Sequence, residues 1–91
     1  MDIKAFRDQI DNVDKQLVDL FVQRMNLSAQ IADYKKEHNM PIYVPVRERE
    51  KLQDVAEKAG PELESFAREL YITLFRLSRE YQAVRNEEVI L

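Results

Sequence analysis

Cysteine is absent from the chain, and histidine occurs once, as His38. The first absence excludes disulfides and thiolate chemistry, and the second excludes a metal site built on several imidazoles. Only carboxylates are left as metal ligands, and neither a metal nor another cofactor is expected. Glycine occurs once and proline three times, which leaves little turn punctuation and favours helix nearly throughout. No apolar run approaches the length of a membrane span, and the opening MDIKAF lacks an apolar signal core, so a cytoplasmic protein with no membrane partner is the expectation. Nor does one sign of charge dominate. Charged residues make up 34% of the chain, both signs are mixed along it, and the net charge is -3. That balance disfavours nucleic acid as a partner. No internal repeat, low-complexity tract or dinucleotide-type glycine loop is visible.

What is present is periodicity. Ile3, Phe6, Ile10, Val13, Leu17, Leu20, Arg24, Leu27, Ile31 and Tyr34 follow one another at alternating steps of three and four, the spacing of an apolar helical seam. Asp2 is a suitable N-cap, and Asn39, Met40 and Pro41 are a suitable stop. Pro45 opens a short helix carrying Leu52, Val55, Ala56 and Ala59. Pro61 opens a longer one with Leu63, Phe66, Leu70, Leu74, Leu77, Tyr81 and Val84 on one stripe, fraying near Asn86. Both prolines stand near a first turn, where a missing N–H costs nothing. The pattern predicts an all-α fold of three helices, long, short and long, over a single domain of residues 1–91. Residues 86–91 are then a frayed tail or the start of a linker to a fused domain.

The first helix is too long for so small a chain. Roughly 34 residues at about 1.5 Å each span about 50 Å, whereas a compact domain of this size has a radius of gyration of about 12 Å. A second copy of the chain is therefore expected to cover it, and small domains often gain stability by association.

Arg24 breaks the seam. A guanidinium stays protonated, and burying it unpaired is costly, yet no acid shares its stripe. Its stem reaches past the apolar residues to water, or it pairs with an acid on another helix, or it meets an anionic ligand. Lys35 lies eleven residues on and points the same way, roughly 16 Å further along the axis, so both side chains can converge on one small anion. Read alone, Lys35 is also a C-terminal lysine complementing the helix dipole. Arg7, about 25 Å from Arg24 on the same helix, is either a solvated charge or a contribution from another chain. If two copies of the helix pair antiparallel about a centre near residue 18, Arg7 of one falls between Arg24 and Lys35 of the other.

Two further groups are less distinctive. Arg47 and Glu48 in PVREREKL lie in the first turn of the short helix, where open N–H groups assist polar recognition. Ser78 and Gln82 in LFRLSREYQ are four apart and share one face of the last helix. Each pair, read by itself, equally describes a solvated surface. His38 continues the seam register and has a structural reading.

Taken together, Arg7 in FRDQIDNVDKQL, Arg24 in FVQRMNLS, Lys35 in IADYKK, Arg47 and Glu48 in PVRERE, and Ser78 and Gln82 in LSREYQ resemble the all-helical, type II chorismate mutase family. The resemblance covers essentially the whole chain, and it rests on order, spacing and helix placement. It implies an intertwined homodimer and an isomerase that converts chorismate to prephenate by an intramolecular Claisen rearrangement, within aromatic amino-acid biosynthesis. It implies that Arg24 and Arg7 of the partner subunit clamp the two carboxylates, that Lys35 and Gln82 donate to the breaking ether oxygen, that Glu48 and the Arg47 backbone bind the ring hydroxyl, and that Ser78 assists a carboxylate. One position departs from the pattern. Val44 stands three residues before the RE pair, where family members often have aspartate, so altered hydroxyl recognition or a looser second helix is expected. An isochorismate pyruvate lyase of the same fold, a sensing domain fused to a shikimate-pathway enzyme, and a purely structural helical dimer are the competing readings.

Overall fold

The computed structural model describes the backbone of residues 2–90 and the side chains of residues 2–86. Three helices follow in order: α1 (Ile3–Glu37), α2 (Pro45–Ala59) and α3 (Glu64–Ile90). The all-α, long–short–long architecture agrees with the sequence reading.

The helix ends follow from local chemistry. Asp2 caps α1, its carboxylate accepting the Ala5 N–H at 2.9 Å. At the other end Asn39 takes a left-handed φ of 54°. The Met40 N–H then donates to the Lys35 carbonyl at 2.8 Å and the Asn39 N–H to the Lys36 carbonyl at 3.4 Å, so the last carbonyls are satisfied by the doubled turn that stops many helices. Pro45 begins α2, but Val44 at its N-cap has no side chain able to cap it. The single glycine, Gly60, ends α2 at φ 89°, a conformation strained for any residue with a Cβ.

Two boundaries differ from the sequence reading. Pro61 lies in a turn over residues 61–63 rather than inside α3, because the Leu63 N–H closes back on the Gly60 carbonyl at 3.2 Å. α3 does not fray at Asn86 but continues to Ile90, since Asn86, Glu87 and Glu88 include no proline or glycine to stop it. Leu91, the end of the stretch read as tail or linker, lies outside the described residues.

α3 packs against both α1 and α2, whereas α1 and α2 do not pack on one another among the described residues. The α1–α3 contact is made by small residues: Ser28, Ala29 and Ala32 are buried on α1, with Ala32 at 0% exposure, opposite the buried Phe75, Ser78 and Gln82 of α3. Burying Phe75 there contributes about 1.5–3 kcal/mol. Arg85 on α3 donates to both carboxylate oxygens of Asp33 on α1, at 3.1 and 3.4 Å. That hydrogen bond is the main reason the Arg85 guanidinium is held above its ordinary pKa.

The large apolar side chains are elsewhere. The α1 seam, from Ile3 at 62% exposure to Tyr34 at 56%, faces outward, as do Leu63 of the preceding turn and Phe66 and Leu70 of α3. The chain extends 54 × 28 × 14 Å with a radius of gyration of 16.5 Å. Its accessible surface is 7300 Å², against about 5500 Å² for a compact monomer of this mass. One chain buries a face of small and polar residues and leaves its main hydrophobic stripe uncovered.

Candidate functional site

The gap between α1 and α2, roofed by α3, is a cleft of about 480 Å³. α1 supplies Arg24, Leu27, Ser28, Ile31 and Lys35; the α1–α2 connection supplies Ile42 and Val44; α2 supplies Arg47, Glu48 and Lys51; α3 supplies Phe75, Ser78, Arg79 and Gln82. Seven of the residues singled out in the sequence, Arg24, Lys35, Val44, Arg47, Glu48, Ser78 and Gln82, therefore meet at one place. Arg7 does not. It is exposed on α1, about 25 Å along the axis from Arg24.

Arg24 is half-buried. Its Nη1 donates to the Ser78 hydroxyl at 2.7 Å, and its guanidinium carbon lies 5.8 and 5.7 Å from the Tyr71 and Phe75 ring centroids. Among the described residues no carboxylate pairs with it. A guanidinium has five N–H donors, so the remaining positive field stays open to the cleft. Ser78 also accepts from the Ser28 hydroxyl at 3.2 Å. With both lone pairs of Ser78 engaged, its own proton is left for an incoming acceptor.

Lys35 donates to the Ile42 carbonyl at 2.9 Å. The Asn39 turn makes this contact geometrically accessible, by folding residues 40–44 back beside the last turn of α1. One of three ammonium donors is thereby used and the head is aimed at the cleft wall. Gln82, at 6% exposure, is buried, and its Oε1 has no hydrogen-bond partner among the described residues. A buried amide left unsatisfied is costly unless a ligand completes it.

Glu48 is engaged already. Both of its carboxylate oxygens receive Arg79 Nη1, at 2.5 and 2.6 Å, and Arg79 lies over the Tyr43 ring at 4.8 Å from its centroid. Arg79 went unread in the sequence. It is thirty-one residues from Glu48, and no periodicity links positions on separate helices. Lys51 is drawn toward Asp54 at 3.3 Å, which also accepts from Lys58 at 3.0 Å. Lys58 first and Lys51 second hold Asp54 below the ordinary value of 3.8. Ser28, one turn beyond Arg24 on α1, likewise went unread as a partner of Ser78.

The arrangement suits a small, apolar-bodied anion. Among the described residues Arg24 and Lys35 have no acidic partner, Ser78 has a proton to give, and Glu48 is already paired with Arg79. Among the described residues no group of three His, Asp or Glu side chains could hold a metal ion, and no helix is long and apolar enough to cross a membrane.

Comparison with known proteins places the chain in a family. The T-protein of Enterobacter agglomerans is 49% identical over 47 residues, covering 52% of this chain and 13% of that protein. The T-protein of Haemophilus influenzae is 43% identical over 61 residues, covering 64% of this chain and 16% of that protein. The bifunctional chorismate mutase/prephenate dehydratase of Aquifex aeolicus is 39% identical over 49 residues, covering 54% of this chain and 14% of that protein. The matched stretch is thus a small part of each relative. No solved structure matches the chain. The profile of chorismate mutase type II matches residues 6–83, spanning all three helices and every cleft residue named above, and this chain belongs to that family.

Proposed function

We propose that the chain is a chorismate mutase, converting chorismate to prephenate by an intramolecular Claisen rearrangement in the cytoplasm, and that it works as a homodimer. The observation that carries this reading is the meeting of Arg24 and Lys35, neither of them paired with a carboxylate among the described residues, with the buried Ser78 and Gln82 in one cleft. The substrate is a dianion whose reaction needs no nucleophile and no redox group. The protein's task is to hold the reactive conformer and stabilise charge that develops on the breaking ether oxygen.

The roles are those that the family resemblance implies. Arg24 takes one carboxylate, its planar fork suited to a bidentate contact, and Ser78 adds its proton to the same group. Lys35 and Gln82 reach the ether oxygen, where their hydrogen bonds strengthen as the C–O bond lengthens. An amide that serves there presents its Nε2 to the oxygen. Glu48 and the Arg47 backbone receive the ring hydroxyl, Val44 borders that end, and the second carboxylate goes to Arg7 of the partner subunit. The exposed α1 seam supports the dimer: a second α1 laid antiparallel would cover it and carry Arg7 to the cleft of its neighbour. Fusion to a second enzyme is what the name of the Aquifex relative suggests for this domain, and the reading of the cleft does not depend on it.

The test is direct. Purified chain is added to chorismate, loss of its absorbance is followed, and the product is converted by acid to phenylpyruvate. Prephenate formation is the expected result. Pyruvate release from isochorismate without turnover of chorismate would replace the mutase with the lyase, and binding without turnover of either would favour a sensing domain.

A further inference from the structure

Among the described residues, Glu48 is the one acid lining a cleft that also holds Arg24, Lys35, Arg47 and Lys51. A carboxylate so placed is an internal competitor for the cations that a dianionic substrate needs. It is restrained from α3: Arg79 Nη1 donates to both of its oxygens, at 2.5 and 2.6 Å. Arg79 is itself held in place by stacking over Tyr43, so three segments meet in this contact, α3, α2 and the connection before α2. Both members are more shielded than a surface pair, with side-chain exposures of 34% and 22%.

We propose that Arg79 is a positioning residue, which holds the Glu48 carboxylate on the α2–α3 side of the cleft and prevents it from neutralising Arg24 and Lys35. The proposal rests on the mutase reading. Arg79 need not touch the substrate. By taking one lone pair on each Glu48 oxygen it leaves the others for the ring hydroxyl, and by supplying a fixed opposite charge it removes the reason for Glu48 to swing across the cleft. Without Arg79, Glu48 acts as a tethered competitive anion. Substrate at saturation displaces it, so the penalty falls on KM rather than on kcat.

The experiment is a double-mutant cycle in chorismate turnover, with thermal midpoints measured for every variant. Arg79→Met is expected to raise KM about tenfold while kcat stays within about threefold. In the Glu48→Gln background, where no carboxylate is left to stray, the same Arg79→Met change is expected to move KM by less than about twofold. Arg79→Lys, which keeps the charge but loses the planar fork, should retain most of the parent KM. If Arg79 merely ties α3 to α2 and Tyr43, Arg79→Met will lower the thermal midpoint and act equally in both backgrounds, and the proposal is wrong. The same holds if KM does not change. An inactive parent chain would instead overturn the mutase reading, and this inference with it, so the two failures are told apart by the first protein assayed.

Discussion

Arg24 on α1 and Ser78 on α3, fifty-four residues apart in the chain, are joined by a 2.7 Å hydrogen bond from Nη1 to Oγ. The bond satisfies one guanidinium donor with a neutral partner and leaves the charge uncancelled. It therefore orients a cation for a ligand without neutralising it, which an aspartate at the same place would do.

Removing that partner should weaken binding more than folding. Ser78→Ala is expected to cost about 1 kcal/mol of substrate affinity, or about fivefold in KM, with a smaller effect on the thermal midpoint. Steady-state kinetics beside thermal unfolding would check it. An unchanged KM would show that Arg24 is oriented by Tyr71 and Phe75 alone.

Lys35 should show the opposite division. Its bond to the ether oxygen grows as the C–O bond breaks, so Lys35→Ala is expected to lower kcat by about 10²–10³ and to change KM little. Equal losses in binding of an inert substrate analogue and in kcat would show that Lys35 only holds the ground state.

The shared site makes a quantitative prediction. Arg7→Ala and Arg24→Ala chains should each be nearly inactive yet folded, because Arg7 is exposed and loss of the Arg24 side chain leaves the contact of Ser28, Ala29 and Ala32 with α3 in place. Mixed at equal amounts, random exchange gives about half heterodimers, each with one intact site of two, so about a quarter of parent activity should return. No recovery after subunit exchange is demonstrated, for example by native mass spectrometry, would place Arg7 outside the site.

Val44 leaves the first turn of α2 without a side-chain cap. Val44→Asp should stabilise the chain by about 1 kcal/mol, raising the thermal midpoint by about 4–8 °C. Turnover should persist with altered KM, since the new acid borders the end of the cleft assigned to the ring hydroxyl. A collapse of kcat would show that this site does not tolerate an acid.

The helix-surface acid Asp54 gives a pH prediction with a definite sign. Lys58 and Lys51 lower its pKa below 3.8 in the folded chain, so its contribution is present above that value and is lost as pH falls through the lowered one. Asp54→Asn should therefore reduce the thermal midpoint at pH 6, and the deficit should shrink as pH falls below 3.8. A deficit that stays constant with pH would mean that the ion pairs contribute nothing.

Much of the molecule could be read from local pattern. The α1 seam, the Asp2 cap, the stop at Asn39 and the short helix beginning at Pro45 are properties of neighbouring residues, and a helix records them with a period of 3.6. That Arg24 and Lys35 face one way follows from the same period. Other features are not local. The apolar stripe of the last helix was legible, but within one chain Leu63, Phe66 and Leu70 stay exposed and the helix buries Phe75, Ser78 and Gln82, because the small residues Ser28, Ala29 and Ala32 allow a closer approach than the bulky seam does. Hydropathy marks which residues avoid water; it does not say whether the cover comes from the same chain or another.

The sequence by itself determined the three helices, their order, and the family to which their spaced charges belong, since each depends on contacts within a few turns. Only the tertiary structure decided that Ser78 is the neutral anchor of Arg24, that the Ile42 carbonyl receives Lys35, and that Arg79 takes hold of Glu48. Those contacts join side chains from different helices, and their existence depends on the angle and depth at which the helices pack, which no one-dimensional period encodes.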